Sequence, residues 1–585
     1  MAPTLHAARV TFSHGARTVL DIGVRHVGAA VRGHLDFSNV RNMINANSVR
    51  TRAVLVAVAV LATTAAGCSS TKPSSSASSS TSAAAAVTTA APAASTTVPP
   101  TTTAPFTSPV ARATVSGPVS GGKGSVVIAP SPALPGQAAT VLDLTTVGYT
   151  ETEYFLSGTA TAYTSDTPLI SDGAWKVREA ATAPYTTRVV VRRPKDAAKF
   201  NGTVIVEWLN VTGGLDAGPD WTYMQPEILR SGYAWVGVSA QRVGVEGGGI
   251  VLGENRVLKV FDPARYGSLS HPGDNFSYDM FSQSGAAVRR DTAALLGDLK
   301  PTYVVAMGES QSASRLTTYI DAIAPTAKVF DGYFVHSRSG NASPLAGDPL
   351  PAVPAPLPTL IRTDLGVPVL TFSSETDVAG PRGYRKAAQP DTATFRSWEV
   401  AGTAHADSYN LGGGGFDNGD GKTDATYFAS MLTPPNNVYS NLITCATGIN
   451  TGPHTYVLRA ALKAFDTWVR TKQPPPSMPL FEVDGTGNAY AVDAAGNAKG
   501  AIRTPYVDVP IATLGGLGQT GNAFCSLFGS TVPFDAVALK ARYGSHDAFV
   551  TQWTTAMKKA VDAGVILQVD ADHLIAAAKG STVGN

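Results

Sequence analysis

The stretch from about residue 200 to about residue 470 reads as an α/β protein, a mainly parallel β-sheet with helices on both faces, preceded by antiparallel strands and carrying loop-rich inserts. Two patterns predict this. Strand candidates such as "GTVIVEWLNV" (202–211), "TYVVAMG" and "VPVLTFSSETDV" are near-continuous apolar runs, as strands buried on both faces are. They alternate with stretches of helical spacing, the rhythm of strand–helix–strand units. An apolar fraction of 44% over 585 residues is ample for the core such a body needs.

Along the chain, residues 1–42 resemble neither a targeting segment nor a fold, and translation is expected to start at Met43. "NSVRTRAVLVAVAVLATTAAGCSS" then has Arg50 and Arg52, an apolar stretch over 53–62 and small residues ending in Gly67-Cys68. That core is too short to span a bilayer as a helix and fits a secretory signal over 43–68. The residues before Cys68 resemble a bacterial lipobox, in which the cysteine is acylated and becomes the mature N-terminus. The expectation is an exported protein tethered to the outer face of the cell membrane, the alternative being an uncleaved anchor helix. From 69 to 115 the composition collapses to Ser, Thr, Ala and Pro, which cannot bury enough apolar surface to offset ordering entropy, so a flexible stalk is expected.

The folded body is expected over 116–585. Its first part, to about residue 200, is rich in Thr, Val, Tyr and Gly and reads as short antiparallel strands. "WTYMQPEILRSG" reads as a helix between the strands at 202–211 and 233–241, and Phe281, Val288 and Leu295 are spaced to share one helical face. "QSASRLTTYIDAI" reads as the helix after "TYVVAMG". Strands "KVFDGYFVHS", "VPVLTFSSETDV" and "TFRSWEVAGTAH" follow, and then the helix "HTYVLRAALKAFDTWVRT". The tail from about 480 holds "FEVDGTGNAYAVDAAGN", read as a hairpin, and two helical stretches, and is expected to pack on the main body.

Charge excludes one class of function. With 45 Lys+Arg against 43 Asp+Glu and no long basic run, there is no nucleic-acid footprint. Setting Cys68 aside leaves Cys445 and Cys525, an even pair in a compartment where disulfides persist; two buried free thiols are the alternative.

The chemistry centres on "GESQS" (308–312). A nucleophile elbow strains its central serine and needs small residues two positions to either side so that strand and helix can approach. Gly308 and Ser312 meet that need around Ser310, between a predicted strand and a predicted helix. In the elbow fold the order along the chain is serine, acid, histidine. His405 lies in a loop just after a strand and is the best base, whereas His336 ends the next strand and His454 opens a helix. The acid should follow "VPVLTFSS", where Asp377 is favoured by its spacing and Glu375 is the alternative. The oxyanion hole would combine the N–H of Gln311 with one from the loop Asn210, Val211, Thr212, Gly213, Gly214. "FDNGDGKTD" (416–424) has the acidic density of a calcium loop without the EF-hand spacing, and no zinc or P-loop pattern is present, so neither metal nor cofactor is expected.

"VIVEWLNVTGG", "GPDW", "YDMFSQ", "GESQSASRL", "SETDV", "FRSWEVAGTAHAD" and "CSLFGSTVPFD", in that order, resemble a family of bacterial α/β-hydrolase domain proteins over roughly residues 120–580. The resemblance implies an α/β-hydrolase fold and a serine hydrolase mechanism and adds little on specificity; a small-molecule or lipid-like ester is the expected substrate. The competing class is a non-catalytic surface protein that keeps the scaffold for binding, since fold does not fix function.

Overall fold

A computed structural model describes residues 106–124, 142–250, 255–438 and 441–585. The expected start at Met43, the signal over 43–68 with Cys68, and the stalk as far as residue 105 lie outside the described residues. The body begins earlier than residue 116. Ser108 Oγ donates to the Ala327 carbonyl, Arg290 donates to the Ser108 and Val110 carbonyls, and Phe106 lies under the guanidinium groups of Arg289 and Arg290. Composition alone hid this, because the anchoring partners are residues far along the chain.

Nine strands form one sheet: β1 (Thr114–Ser116), β2 (Tyr149–Thr164), β3 (Arg178–Pro194), β4 (Thr203–Trp208), β5 (Ala234–Val238), β6 (Tyr303–Glu309), β7 (Tyr333–His336), β8 (Val369–Ser373) and β9 (Phe395–Glu399), in spatial order β1-β2-β3-β5-β4-β6-β7-β8-β9. The pairs from β5 to β9 are parallel, and β1, β2 and β3 are attached antiparallel at one edge. The short strands expected before residue 200 are instead two long ones, of 16 and 17 residues, paired almost end to end with one irregularity at Ala162/Tyr163.

Alternation across the parallel strands sends side chains into two separate cores. Ile205, Val305, Met307, Phe334 and Leu370 join one apolar cluster, and Val204, Val206, Val304, Ala306 and Val335 the other. On the first face lie α1 (Pro219–Arg230) and the later helix His454–Thr471; on the second lie α2 (Ser277–Arg290) and α3 (Gln311–Thr318). Phe281, Val288 and Leu295 share the second core, although α2 ends at Arg290 and Leu295 belongs to the short helix that follows.

The tail packs on the first face, where Phe549, Trp553, Met557 and Leu574 are buried in the same cluster as Trp468. "FEVDGTGNAYAVDAAGN" forms isolated bridges, Phe481 to Gly500, Val483 to Tyr490 and Val492 to Ala498, in place of a continuous hairpin. The reason is local: the Asp484 and Asp493 carboxylates accept backbone N–H groups a few residues on, closing turns that compete with a ladder. Cys445 and Cys525 are joined by a disulfide that ties the tail to the insert before the His454 helix. Among the described residues no helix is long and apolar enough to cross a membrane.

Candidate active site

Ser310 stands between β6 and α3 with φ 59° and ψ −114°, a backbone conformation that residues other than glycine rarely adopt. The approach of strand and helix is close. A Cβ on Gly308 would sit 3.0 Å from the Ser312 carbonyl oxygen, which is why the two flanking positions are small. The Ser310 N–H donates to the His336 carbonyl at 2.9 Å, pinning the turn to β7. Gln311 opens α3, so its N–H is one of those that a helix start leaves without an intrahelical acceptor.

The loop after β9 brings His405 to the turn. Its Nε2 lies 2.7 Å from Ser310 Oγ and its Nδ1 lies 2.7 Å from Asp377 Oδ1. Asp377 is on α4 (Glu375–Val378), directly after β8. Its Oδ2 accepts from the N–H and the hydroxyl of Ser374, and its Oδ1 also accepts from Arg382 Nε at 3.0 Å. Burial works against the Asp377 anion, but His405, Arg382 and Ser374 outweigh it and hold the carboxyl well below the usual carboxylate range. Burial and then the Arg382 guanidinium push the His405 imidazole down to about 4, so at neutral pH the ring is a neutral base.

Glu375, the alternative acid, faces elsewhere. One oxygen accepts the Gly402 N–H at 2.6 Å and the other the Gly516 N–H at 2.8 Å, and burial pushes its carboxyl up to about 7. Between the two acids, Thr376 Oγ1 accepts the His405 backbone N–H at 3.1 Å. Three consecutive side chains of α4 thus each hold the loop that carries the imidazole.

The loop expected to complete an oxyanion hole closes on itself. Asn210 and Ala217 exchange backbone bonds at 2.8 and 2.9 Å, the Thr212 N–H donates to Asn210 Oδ1, and the Gly214 N–H to the Val211 carbonyl, with Gly214 at φ 79°. Asn210, Thr212 and Gly214 are therefore engaged within the loop, which leaves Val211 and Gly213 as its candidate donors.

Several residues of the site were not expected. Glu309 is the neighbour of Ser310 within the elbow itself, and its Oε1 lies 3.3 Å from His405 Nε2. Its Oε2 and its carbonyl both accept from Asn210 Nδ2 at 3.1 Å, linking the 210–214 loop to the elbow. Burial, with the acids Asp220, Asp377 and Glu207 nearby, outweighs Arg382 and keeps the Glu309 carboxyl well above the usual range. A neutral Glu309 does not capture His405 as an ion pair, so the imidazole stays available to Ser310. His336 and His454, set aside as bases from their positions, meet behind the site with their Nε2 atoms 2.8 Å apart. Glu309 was legible as part of the motif; Arg382 and the two histidines carried no motif at all.

Two of the three carboxylates of the acidic loop 416–424 are turned inward, while Asp420 is exposed and pairs with Lys422. Asp417 Oδ2 accepts from Arg459 and from the Tyr409 hydroxyl, and Asp424 pairs with His573. Among the described residues no group of three or more His, Cys, Asp or Glu side chains is arranged to hold a metal ion.

A family model described as "Alpha/beta hydrolase domain" matches residues 115–576. Among solved structures, the chain is similar to a glucuronoyl esterase from Solibacter usitatus, at 12% identity over 51% of this chain and 83% of that one with a TM-score of 0.25. It is similar also to a fungal esterase from Rhizomucor miehei, at 12% identity over 44% and 78% with a TM-score of 0.23. A third is an α/β serine hydrolase without lid from Xanthomonas campestris, at 12% identity over 42% and 84% with a TM-score of 0.21. No curated protein sequence matches the chain.

Proposed function

Because the chain belongs to the α/β hydrolase domain family, we propose that it is a serine hydrolase acting on carboxylic esters. The observation that carries this reading is the run of two 2.7 Å contacts from Ser310 Oγ through His405 to Asp377, built on a serine held at φ 59°.

Ser310 Oγ attacks the ester carbonyl carbon while His405 Nε2 takes its proton, and Asp377 holds the Nδ1–H and stabilises the imidazolium that forms. The carbonyl oxygen, now negative, accepts N–H groups from Gln311 and from Val211 or Gly213; loss of one such donor costs about 3 to 4 kcal/mol of barrier in comparable sites. His405 delivers its proton to the departing alcohol as the C–O bond breaks, leaving an acyl-serine. Water, deprotonated by the same imidazole, attacks that acyl group; the acid product leaves and Ser310 regains its proton. The substrate class is a small-molecule or lipid-like ester. The chemistry needs no metal and no cofactor.

Labelling by a fluorophosphonate probe together with hydrolysis of p-nitrophenyl esters of rising chain length tests this reading. Labelling of wild type and not of Ser310→Ala is the expected result. A wild type that neither labels nor turns over any ester would favour the binding scaffold instead.

Export and lipid anchoring belong to the same proposal, supported by the signal and lipobox-like residues ending at Cys68. Metabolic palmitate labelling that vanishes in Cys68→Ser, with release of the protein from the membrane, is expected; membrane retention of wild type without label would overturn it.

A further inference from the structure

Behind the Ser310–His405 pair lies a second row of polar groups, fully buried. Asp220 Oδ1, at the start of α1, is 2.7 Å from His336 Nδ1; His336 Nε2, at the end of β7, is 2.8 Å from His454 Nε2; and His454 Nδ1 is 2.8 Å from the carbonyl of Ala404, the residue before His405. The His454 ring lies nearly flat between Tyr223 (4.4 Å, 20°) and Phe372 (5.3 Å, 21°), which fixes its plane.

From His336 onward the hydrogens in this row have only one possible order. A carbonyl can only accept, so His454 Nδ1 carries a hydrogen. A neutral His454 then presents a bare Nε2, and His336 Nε2–H must donate to it. A neutral His336 in turn presents a bare Nδ1, which needs a donor from Asp220, and only a protonated carboxyl supplies one. Moving that proton to make a His336 imidazolium and an Asp220 carboxylate leaves the total unchanged. Three hydrogen bonds require three protons, and no arrangement of two keeps all three. Asp220 Oδ2 is buried without a hydrogen-bond partner among the described residues, which favours the neutral acid. Burial acts in the same direction, pushing Asp220 up to about 8 and His336 down to about 3.

We propose that Asp220, His336 and His454 are positioning residues of the reaction, a one-directional chain of three protons that holds the His405 loop through the Ala404 carbonyl and loosens it when one proton is lost. The proposal rests on the Ser310 hydrolase reading. With two protons, the Asp220 carboxylate faces a bare His336 Nδ1, the two Nε2 lone pairs face each other, or the His454 Nδ1 lone pair faces the carbonyl; in each arrangement one contact of the row turns repulsive.

Groups from every neighbouring element face the row. Glu207 of β4 accepts the N–H groups of Asp220 and Trp221 at 3.0 Å, and its own carboxyl is held well above the usual range by burial and then by Asp220. Glu309 of β6, Asp377 of α4 and His405 act on it through the field, and Tyr223 of α1 stacks on it.

The test compares Asp220→Asn with Asp220→Leu. An amide still donates N–H to His336 Nδ1 but cannot titrate, whereas leucine removes the donor. With p-nitrophenyl acetate, wild-type kcat is expected to fall about threefold or more between about pH 7.5 and about pH 9.5 with KM little changed. Asp220→Asn, normalised to its own value near neutrality, stays level, and Asp220→Leu loses about tenfold or more in kcat relative to Asp220→Asn. An alkaline fall that is the same in Asp220→Asn as in wild type, or is absent from wild type, overturns the proposal. A readout independent of catalysis is nitrogen-15 NMR of the imidazoles in the intact protein. His454 is expected as the Nδ1–H tautomer at neutral pH, and an Nε2–H tautomer overturns the chain. If wild type shows no labelling and no turnover, the hydrolase reading fails while the tautomer measurement still decides the proton order.

Discussion

Glu309 Oε1 lies 3.3 Å from His405 Nε2, the same nitrogen that Ser310 Oγ approaches to 2.7 Å. Two groups therefore share one imidazole nitrogen, and which of them holds it depends on charge. As a neutral acid Glu309 leaves the lone pair to the serine proton; as an anion it would instead hold an imidazolium and withdraw the base. Burial keeps this carboxyl well above its usual range, which favours the neutral acid.

Ser310→Ala and His405→Ala are each expected to lower ester turnover by several orders of magnitude, and the double variant to be little worse than either, because members of such a unit do not act additively. Steady-state kinetics on an activated ester measures this. A double variant whose losses simply multiply would show that the two residues act separately.

The two acids of "SETDV" should separate cleanly. Asp377→Asn removes the negative charge and turns one of two accepting oxygens into an NH2 donor, which can face His405 Nδ1 and impose the wrong tautomer, so it is expected to be severe in kcat. Glu375→Gln leaves one of two buried backbone N–H groups, those of Gly402 and Gly516, facing an amide N–H, and so is expected to cost about 1 to 3 kcal/mol of stability. Thermal unfolding measured beside kcat distinguishes them; the reverse ranking in kcat would move the acid to Glu375.

Acid should stop the reaction late and weaken the fold early. The base works only when neutral, and with His405 held down to about 4 the activity of folded protein is lost as pH falls through about 4. Stability runs on a different window. His336, His405 and His454 are all held below their ordinary value in the fold, so the unfolded chain takes up protons that the native state refuses as pH falls below about 6.5. The contribution of these rings is complete above about pH 6.5 and declines below it. Denaturant midpoints at stepped pH, read against initial rates, test both limbs, and an activity that titrates near the ordinary histidine value would contradict the first.

Cys445→Ala with Cys525→Ala should leave the site intact and the protein less stable by about 2 to 4 kcal/mol, since the bridge closes a loop with a sequence separation of 80. Mass spectrometry of a non-reduced digest is expected to show the linked peptides, and both recovered as free thiols from protein purified without reductant would reject the bond.

How much of this was legible beforehand follows from the range over which each signal acts. The strands of the sheet, the helix His454–Thr471 and the Ser310 turn could be read because apolar period and the need for small residues at a strained turn are local. The long β2–β3 ribbon was read as several short strands, since a pairing register joins residues far apart in sequence and leaves no local mark.

At the site, the sequence by itself determined the nucleophile candidate, the base candidate and a choice between two acids. Three-dimensional packing alone decided that choice: Glu375 and Asp377 are two residues apart on one short turn, and only the direction of each side chain against the His405 loop distinguishes an acceptor for imidazole from an acceptor for backbone N–H. Packing also brought Asp220, His336 and His454, which no motif joins, into one row of hydrogen bonds. The physical reason is that chain order specifies which groups are present and roughly at which end of the sheet they stand. Hydrogen-bond direction and proton placement exist only once distant segments are within about 3 Å of one another.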